Sequence, residues 1–287
     1  MNCRNGARFL RPGLESLLAQ SFEDWELIFF DNCSVDESRD IVTSFGEDRF
    51  EIISSKEPLP LGRARAEALS HAGGEFVGFL DTDDEWLPNK LEDQVVTLSS
   101  SEAAVSYGDF FIDDLEKGTR RLAYGPGLPR GDVLVQLLRH YRVGFLTALV
   151  RREALNKVPG GFGAHYDLVH DFDLMLRLAA IGTFESETKP LAVYRRHPTS
   201  ETGRNTFRHA MELKALSNEV STSPLFSDCR EVWRVGELAK FKSVEAHVRD
   251  NHRIRALGQA FRMRPTRELA KAIAISIFPS SLTDRAR

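Results

Sequence analysis

Three carboxylates within four positions, Asp81, Asp83 and Asp84, close the stretch FVGFLDTDD. Like charges this close repel one another and call for a cation. Oxygen ligands of this kind suit Mg2+ or Mn2+, and a diphosphate can share the ion. The apolar run ahead of them reads as a buried strand delivering the acids at its C-terminal end. In an open α/β sheet, ligands bind beyond the carboxyl ends of strands. The simpler alternative is an Asp-rich turn capping the helix that starts near Pro88. Other reactive side chains are spread along the chain. Asp31 ends the run WELIFFDN, and Arg65 lies in LGRARAEALSHA. Asp171 and Asp173 open HDFDLMLRLAAIG, while Arg195 and His197 stand in LAVYRRHP. Acids at a helix start are also favoured by the macrodipole alone.

The elements that must position these groups alternate. Residues 7–20 read as a helix with Leu14, Leu17 and Leu18 on one face. A strand follows from Trp25 to Phe30, then a helix over 36–46 and an apolar segment over Phe50–Ser55. Leu61–Ala72 is helical and ends at Gly73-Gly74, ahead of the acidic strand. This alternation predicts a parallel sheet flanked by helices. Beyond it, residues 88–100 and 132–141 read as helices, Ala103–Asp114 as one strand, and Gly118–Arg130 as a hairpin or loop. Phe145–Leu155 reads as a strand running into a helix, with a glycine turn at 160–163 after it. Helix His170–Gly182 and strand Leu191–Pro198 close the α/β part. From there only helices are predicted, over 204–220, 230–262 and 266–278. The expected division is an α/β domain over 1–200 and a helical region over 201–287.

The net charge of −4 conceals an asymmetry. Residues 201–287 carry 16 Lys and Arg against 10 Asp and Glu, which leaves residues 1–200 at −10. An acidic body excludes nucleic acid as its partner, while the basic region suits acidic lipid head groups or a solvated surface. Three cysteines without paired or zinc-like spacing fit a reducing compartment. No apolar run reaches the ~18 residues of a membrane span, and no signal peptide is evident. A P-loop and a dinucleotide glycine fingerprint are both absent.

In order and spacing, the motifs over residues 5–200 resemble glycosyltransferase family 2, the inverting enzymes of GT-A fold that use nucleotide sugars. Asn5-Gly6 resembles the end of the family's first motif. Glu26–Ser38 is similar to its second, and Gly62–Glu75 to its G-x-A-R-N…A-x-G-E segment. FLDTDD with Trp86, Pro88 and Lys90-Leu91 resembles the metal motif. Gly161-Phe162 with His170–Arg177 resembles the G-F…E-D-x-D-L-x-L-R block, and Tyr194–His197 the closing Y-R-x-H. The departures are Arg4 for the usual Tyr, Ala66 for Asn and His170 for Glu. The family's first strand is almost wholly missing, so a late start or an impaired product is expected.

The resemblance implies a Rossmann-like mixed sheet and a nucleotide-diphosphate sugar donor. It implies a saccharide or lipid-linked acceptor, as in surface polysaccharide synthesis, and Mg2+ or Mn2+ as cofactor. Asp83 would hold the metal, with Asp84, Asp81 or His197 beside it. Asn5, Asp31, Arg65, Asp81 and Arg195 would bind the nucleotide sugar, Asp31 at the base. Asp171 would deprotonate the acceptor, and Asp173 would be structural. Loops around 110–130 and 140–165 would meet the acceptor. The implied setting is the cytoplasm, with peripheral membrane contact through the basic region. The alternatives are a catalytically impaired nucleotide-sugar-binding scaffold and a nucleotidyltransferase.

Overall fold

Short apolar runs become strands, and the amphipathic segments between them become the helices that cover the sheets. The structure is a computed structural model. It describes residues 1–159, 161–162, 166–197, 205–250, 252–265 and 267–277. Two members of the glycine turn expected at 160–163, residues 160 and 163, lie outside these. The chain divides into two compact units, Met1–Pro198 and Thr199–Arg287.

The first unit opens with β1 (Asn2–Cys3), α1 (Ala7–Leu18), β2 (Leu27–Asp31), α2 (Ser38–Thr43), β3 (Phe50–Ser54), α3 (Leu61–His71) and β4 (Phe76–Gly78). It continues through β5 (Asp84–Trp86), α4 (Lys90–Ser99), β6 (Val105–Tyr107), β7 (Phe110–Asp114), β8 (Thr119–Leu122) and α5 (Leu134–Arg139). Last come β9 (Leu149–Arg151), α6 (Arg152–Lys157), α7 (His170–Ile181), β10 (Phe184–Ser186) and β11 (Ala192–Arg196).

β1, β2 and β3 pair in parallel. β2 is buried along its whole length, because successive side chains point to opposite faces. Leu27 and Phe29 join a core with Leu10, Leu14 and Leu17 of α1. Ile28 and Phe30 pack instead with Ala64 and Ala68 of α3. The all-parallel pairing that the alternation predicts holds for this sheet, and the other two are mixed, as the resemblance implies. In the sheet β10-β6-β9-β4, β9 runs antiparallel to both neighbours. In β5-β11-β7-β8, only β11 and β7 are parallel.

Two further expectations are corrected. The single strand expected over Ala103–Asp114 is two, β6 and β7, placed in different sheets. The break falls at Gly108-Asp109. A Cβ on Gly108 would lie 2.8 Å from Leu191 Cδ1, and Asp109 accepts the backbone N–H groups of Phe110, Tyr124 and Gly125. The acidic strand is shorter than expected. β4 stops at Gly78, and the acids occupy a turn that leads into β5, which begins on Asp84. Trp86 of β5 anchors that turn, its indole N–H donating to Leu146 O at 2.9 Å.

Gly78 is required by this anchor, because a Cβ there would lie 2.8 Å from the Trp86 ring. Gly78→Ala is expected to destabilise the fold by about 1–3 kcal/mol through overpacking. A urea midpoint shifted down at constant slope would register it, and an unchanged midpoint would contradict it.

The second unit holds α8 (Thr206–Thr222), α9 (Trp233–Arg249), α10 (Arg253–Ala260) and α11 (Arg267–Ile277). Its core joins Val244, Ala256, Ala260, Met263 and Ala272. The helix expected over 230–262 is instead a 3-10 turn at Arg230–Val232 followed by α9 and α10. α9 ends at Arg249, and the backbone N–H of His252 turns back to His247 O at 2.8 Å.

Candidate active site

The loops leaving β1 and β2 meet at the carboxyl edge of the first sheet, where the register sets Cys3 opposite Asp31. Asp31 is buried and accepts the Ser34 N–H at 3.0 Å. Asn5 accepts the Val35 N–H at 2.8 Å, and its own N–H donates to Ser34 Oγ at 3.0 Å. Asp36 and Ser38 accept the Ala7 and Gly6 N–H groups at the start of α1. Asn5 and Cys33 adopt positive φ, 56° and 58°. Non-glycine residues held this way cluster at functional sites, where the surrounding bonds hold the strained backbone in place.

The acidic turn faces these loops, since a Cβ on Gly6 would lie 3.1 Å from Thr82 Oγ1. Arg65 of α3 makes an ion pair with Asp81 and also faces His170 Nε2. Burial would raise Asp81, but the Arg65 guanidinium outweighs it and holds the carboxyl below its ordinary range. His170 is buried at the start of α7, with Nδ1 2.7 Å from Asp167 O. A proton on Nδ1 satisfies that carbonyl and leaves Nε2 as a lone-pair acceptor for Arg65. Burial, then the Arg65 charge, lowers the imidazole pKa, so His170 is neutral near pH 7.

Asp83 lies 3.0 Å from His197 Nε2, and the imidazole stacks on Phe9 at 4.1 Å between ring centroids. Burial, and then the charge of Asp81, raises the Asp83 carboxyl. Asp84 is buried, accepts the Arg195 N–H at 3.4 Å, and is pushed well above its usual range by burial and both neighbouring acids. Arg195 is buried too. Its guanidinium donates to Asp83 O at 2.6 Å and Phe9 O at 2.8 Å, and pairs with Glu85 at 3.2 Å. Among the described residues, no group of three or more His, Cys, Asp or Glu is arranged to hold a metal ion. The donors that fit a divalent cation are Asp83 and His197, with further ligands left to come from a bound molecule or water. The raised carboxyls of Asp83 and Asp84 mark a local shortage of positive charge that such an ion would relieve.

Asp171 stands half-buried in the first turn of α7, where its charge reaches His170 and the Tyr124 and Tyr141 hydroxyls. Its Oδ1 accepts the Phe172 N–H at 2.8 Å. Asp173 is buried in an ion pair with Arg177 at 2.7 Å. Burial, then Asp109 and Asp171, raises the Tyr124 hydroxyl to about 12. Burial and Asp171 push Tyr141 well above 10. The Tyr141 hydroxyl is buried with no hydrogen-bond partner among the described residues. No motif marks Tyr124 or Tyr141, although they fall in the 110–130 and 140–165 stretches expected to meet an acceptor. The linkage of His170 to Arg65 was also invisible in sequence. Its only signal was the departure from Glu at that position.

Residues 1–158 match the family model described as glycosyl transferase family 2. The chain belongs to that family. Its curated family 2 relatives include an Escherichia coli UDP-Glc:alpha-D-GlcNAc-diphosphoundecaprenol beta-1,3-glucosyltransferase, WfgD. It is 28% identical over 62% of this chain and 66% of its own length. Another is the putative teichuronic acid biosynthesis glycosyltransferase TuaG of Bacillus subtilis, 28% identical over 54% of this chain and 61% of its own. This family 2 chain thus spans somewhat less than two thirds of these relatives. Among solved structures it is similar to Staphylococcus aureus TarS 1-349 in complex with UDP-GlcNAc. The TM-score is 0.63 at 16% identity, over 96% of this chain and 78% of that one. It is also similar to the mannosyltransferase PcManGT of Pyrobaculum calidifontis in complex with GDP-Man and Mn2+. There the TM-score is 0.61 at 18% identity, over 99% and 81%. The fold of the family 2 chain is accordingly GT-A.

Proposed function

We propose that this chain is a metal-dependent, inverting glycosyltransferase. It moves a sugar from a nucleotide-diphosphate donor to a hydroxyl of a saccharide or lipid-linked acceptor during surface polysaccharide synthesis. The observation that carries this is the acidic turn, with Asp83 against His197 and its carboxyl raised by burial and by Asp81, next to the Gly6 loop. The relatives named for UDP-glucose, diphosphoundecaprenol and teichuronic acid support the substrate classes.

Asp31, held open by the Asn5–Ser34 lacing, accepts an N–H of the base. Arg65 keeps Asp81 ionised beside the ribose and phosphates. Asp84 and Arg195, both spent on protein partners, brace the turn. A divalent ion held by Asp83 and His197 would neutralise the leaving diphosphate. Asp171 takes the acceptor proton as the acceptor oxygen bonds to the anomeric carbon. The bond from that carbon to the phosphate oxygen breaks, and its electron pair leaves with the nucleoside diphosphate. One base without a nucleophile gives a single displacement and inversion, by the logic that separates inverting from retaining glycosidases.

The test is a screen of UDP- and GDP-sugars with Mn2+ and a lipid-diphosphate saccharide, reading nucleoside diphosphate release and the anomeric configuration of the product. Acceptor-dependent release with inversion is expected. Donor binding without release for every donor would turn the assignment to a binding scaffold.

A further inference from the structure

α10 has apolar residues on two opposite sides. Ala256, Ala260 and the following Met263 are buried in the core of the second unit. Ile254 and Phe261 lie on the other side, 90% and 71% exposed. Seven residues separate them, two helical turns, so they stand in one line. Gly258 falls between them on that line and faces open space. Leu257, half-buried, flanks the line on its other side, so no charged side chain stands between the two.

Single exposed apolar residues are ordinary. This pair differs in what borders it. Arg255 and Arg262, both exposed, lie one helical position round from the stripe, and Arg264 follows, also exposed. Segment 250–268 carries five arginines against Asp250 and Glu268. Phe207, 38% exposed, packs on His247 with ring centroids 5.0 Å apart, and His247 lies 6.4 Å from His252 just before α10. A third apolar side chain therefore stands near the N-terminal end of the stripe.

We propose that this face of α10 seats the second unit on an acidic lipid bilayer. Ile254 and Phe261 enter the head-group boundary while the arginines meet lipid phosphates. Two side chains fall far short of the ~800 Å2 per partner that a stable protein interface buries. A short apolar stripe edged by arginine is instead how an interfacial helix binds, by shallow insertion plus attraction to anionic lipid. No helix of the described residues is long and apolar enough to cross a membrane.

The test uses the full chain without sugar donor, so its outcome is independent of the transfer reaction. Vesicles of phosphatidylcholine alone, or with phosphatidylglycerol, are sedimented at low and high salt. Binding to the acidic vesicles only, weakened by salt, is expected. The double variant I254S/F261S is expected to lower binding by roughly tenfold, and R255Q/R262Q to remove the lipid-charge dependence. Circular dichroism checks each fold, and UDP binding in solution stays unchanged. Equal binding by wild type and I254S/F261S, or none by wild type, overturns the proposal. A concentration-dependent dimer in light scattering, lost in I254S/F261S, would instead assign the stripe to a second copy of the chain.

Discussion

Asp171→Asn is expected to lower turnover by ~10²–10⁴-fold, the range a positioned general base contributes, while donor affinity stays at the wild-type value. The substitution is nearly isosteric. The amide oxygen still accepts the Phe172 N–H that Asp171 accepts at 2.8 Å, so the start of α7 is kept. What is lost is the ability to take a proton. Asp173→Asn makes the contrasting control. It breaks a buried ion pair with Arg177 and is expected to act on stability instead of on the chemical step. Single-turnover kinetics alongside UDP titration separates the two. Wild-type turnover in Asp171→Asn would remove the base from this position.

Asp83→Ala is expected to abolish the metal dependence of donor binding. Altering groups behind a metal ligand already costs about 10–100-fold in affinity, and removing a ligand costs at least as much. The variant is also expected to melt no lower than wild type. Burial and Asp81 raise the Asp83 carboxyl above its usual range, so its ionised form opposes folding near pH 7. The sign follows from linkage: a carboxyl raised in the folded state weakens the fold at pH above its ordinary value, and its removal relieves that. Calorimetric titration of UDP with and without Mn2+, beside a thermal melt, reads both quantities. Metal-enhanced affinity surviving in Asp83→Ala would place the ion elsewhere.

The alternation of strands and helices through residue 78 was legible because apolar runs and helical stripes carry it. Asp31 and the acids from Asp81 stood out because they follow apolar runs at strand ends, where such sheets meet ligands, whereas Asp171 opens a helix and was singled out by the resemblance alone. The split of Ala103–Asp114 was not legible. Gly108-Asp109 interrupts AAVSYGDFFIDD, but the pair alone gives no sign that Asp109 will turn its carboxylate onto three backbone N–H groups. The bracing by Arg195 was hidden for a related reason. A basic strand end looks like surface until the chain brings it against Asp83 and Phe9, 112 and 186 residues away. His170 shows the limit of matching motifs. Its ring replaces an acid of the pattern, yet it meets Arg65 as an acceptor, a role that depends on the tautomer set by Asp167.

The reach of Arg195 also bears on how the protein comes to life. Its bonds to Asp83 and Phe9 span most of the first unit, and closing loops of that length is slow compared with forming a helix or hairpin. During synthesis, residues 1–84 leave the ribosome long before β11 exists. The nascent chain therefore carries its acidic turn unbraced, with Asp84 lacking the N–H it later accepts, until translation has passed residue 195. A polypeptide stalled before β11 holds Asp81, Asp83 and Asp84 without the Arg195 contacts that brace their turn.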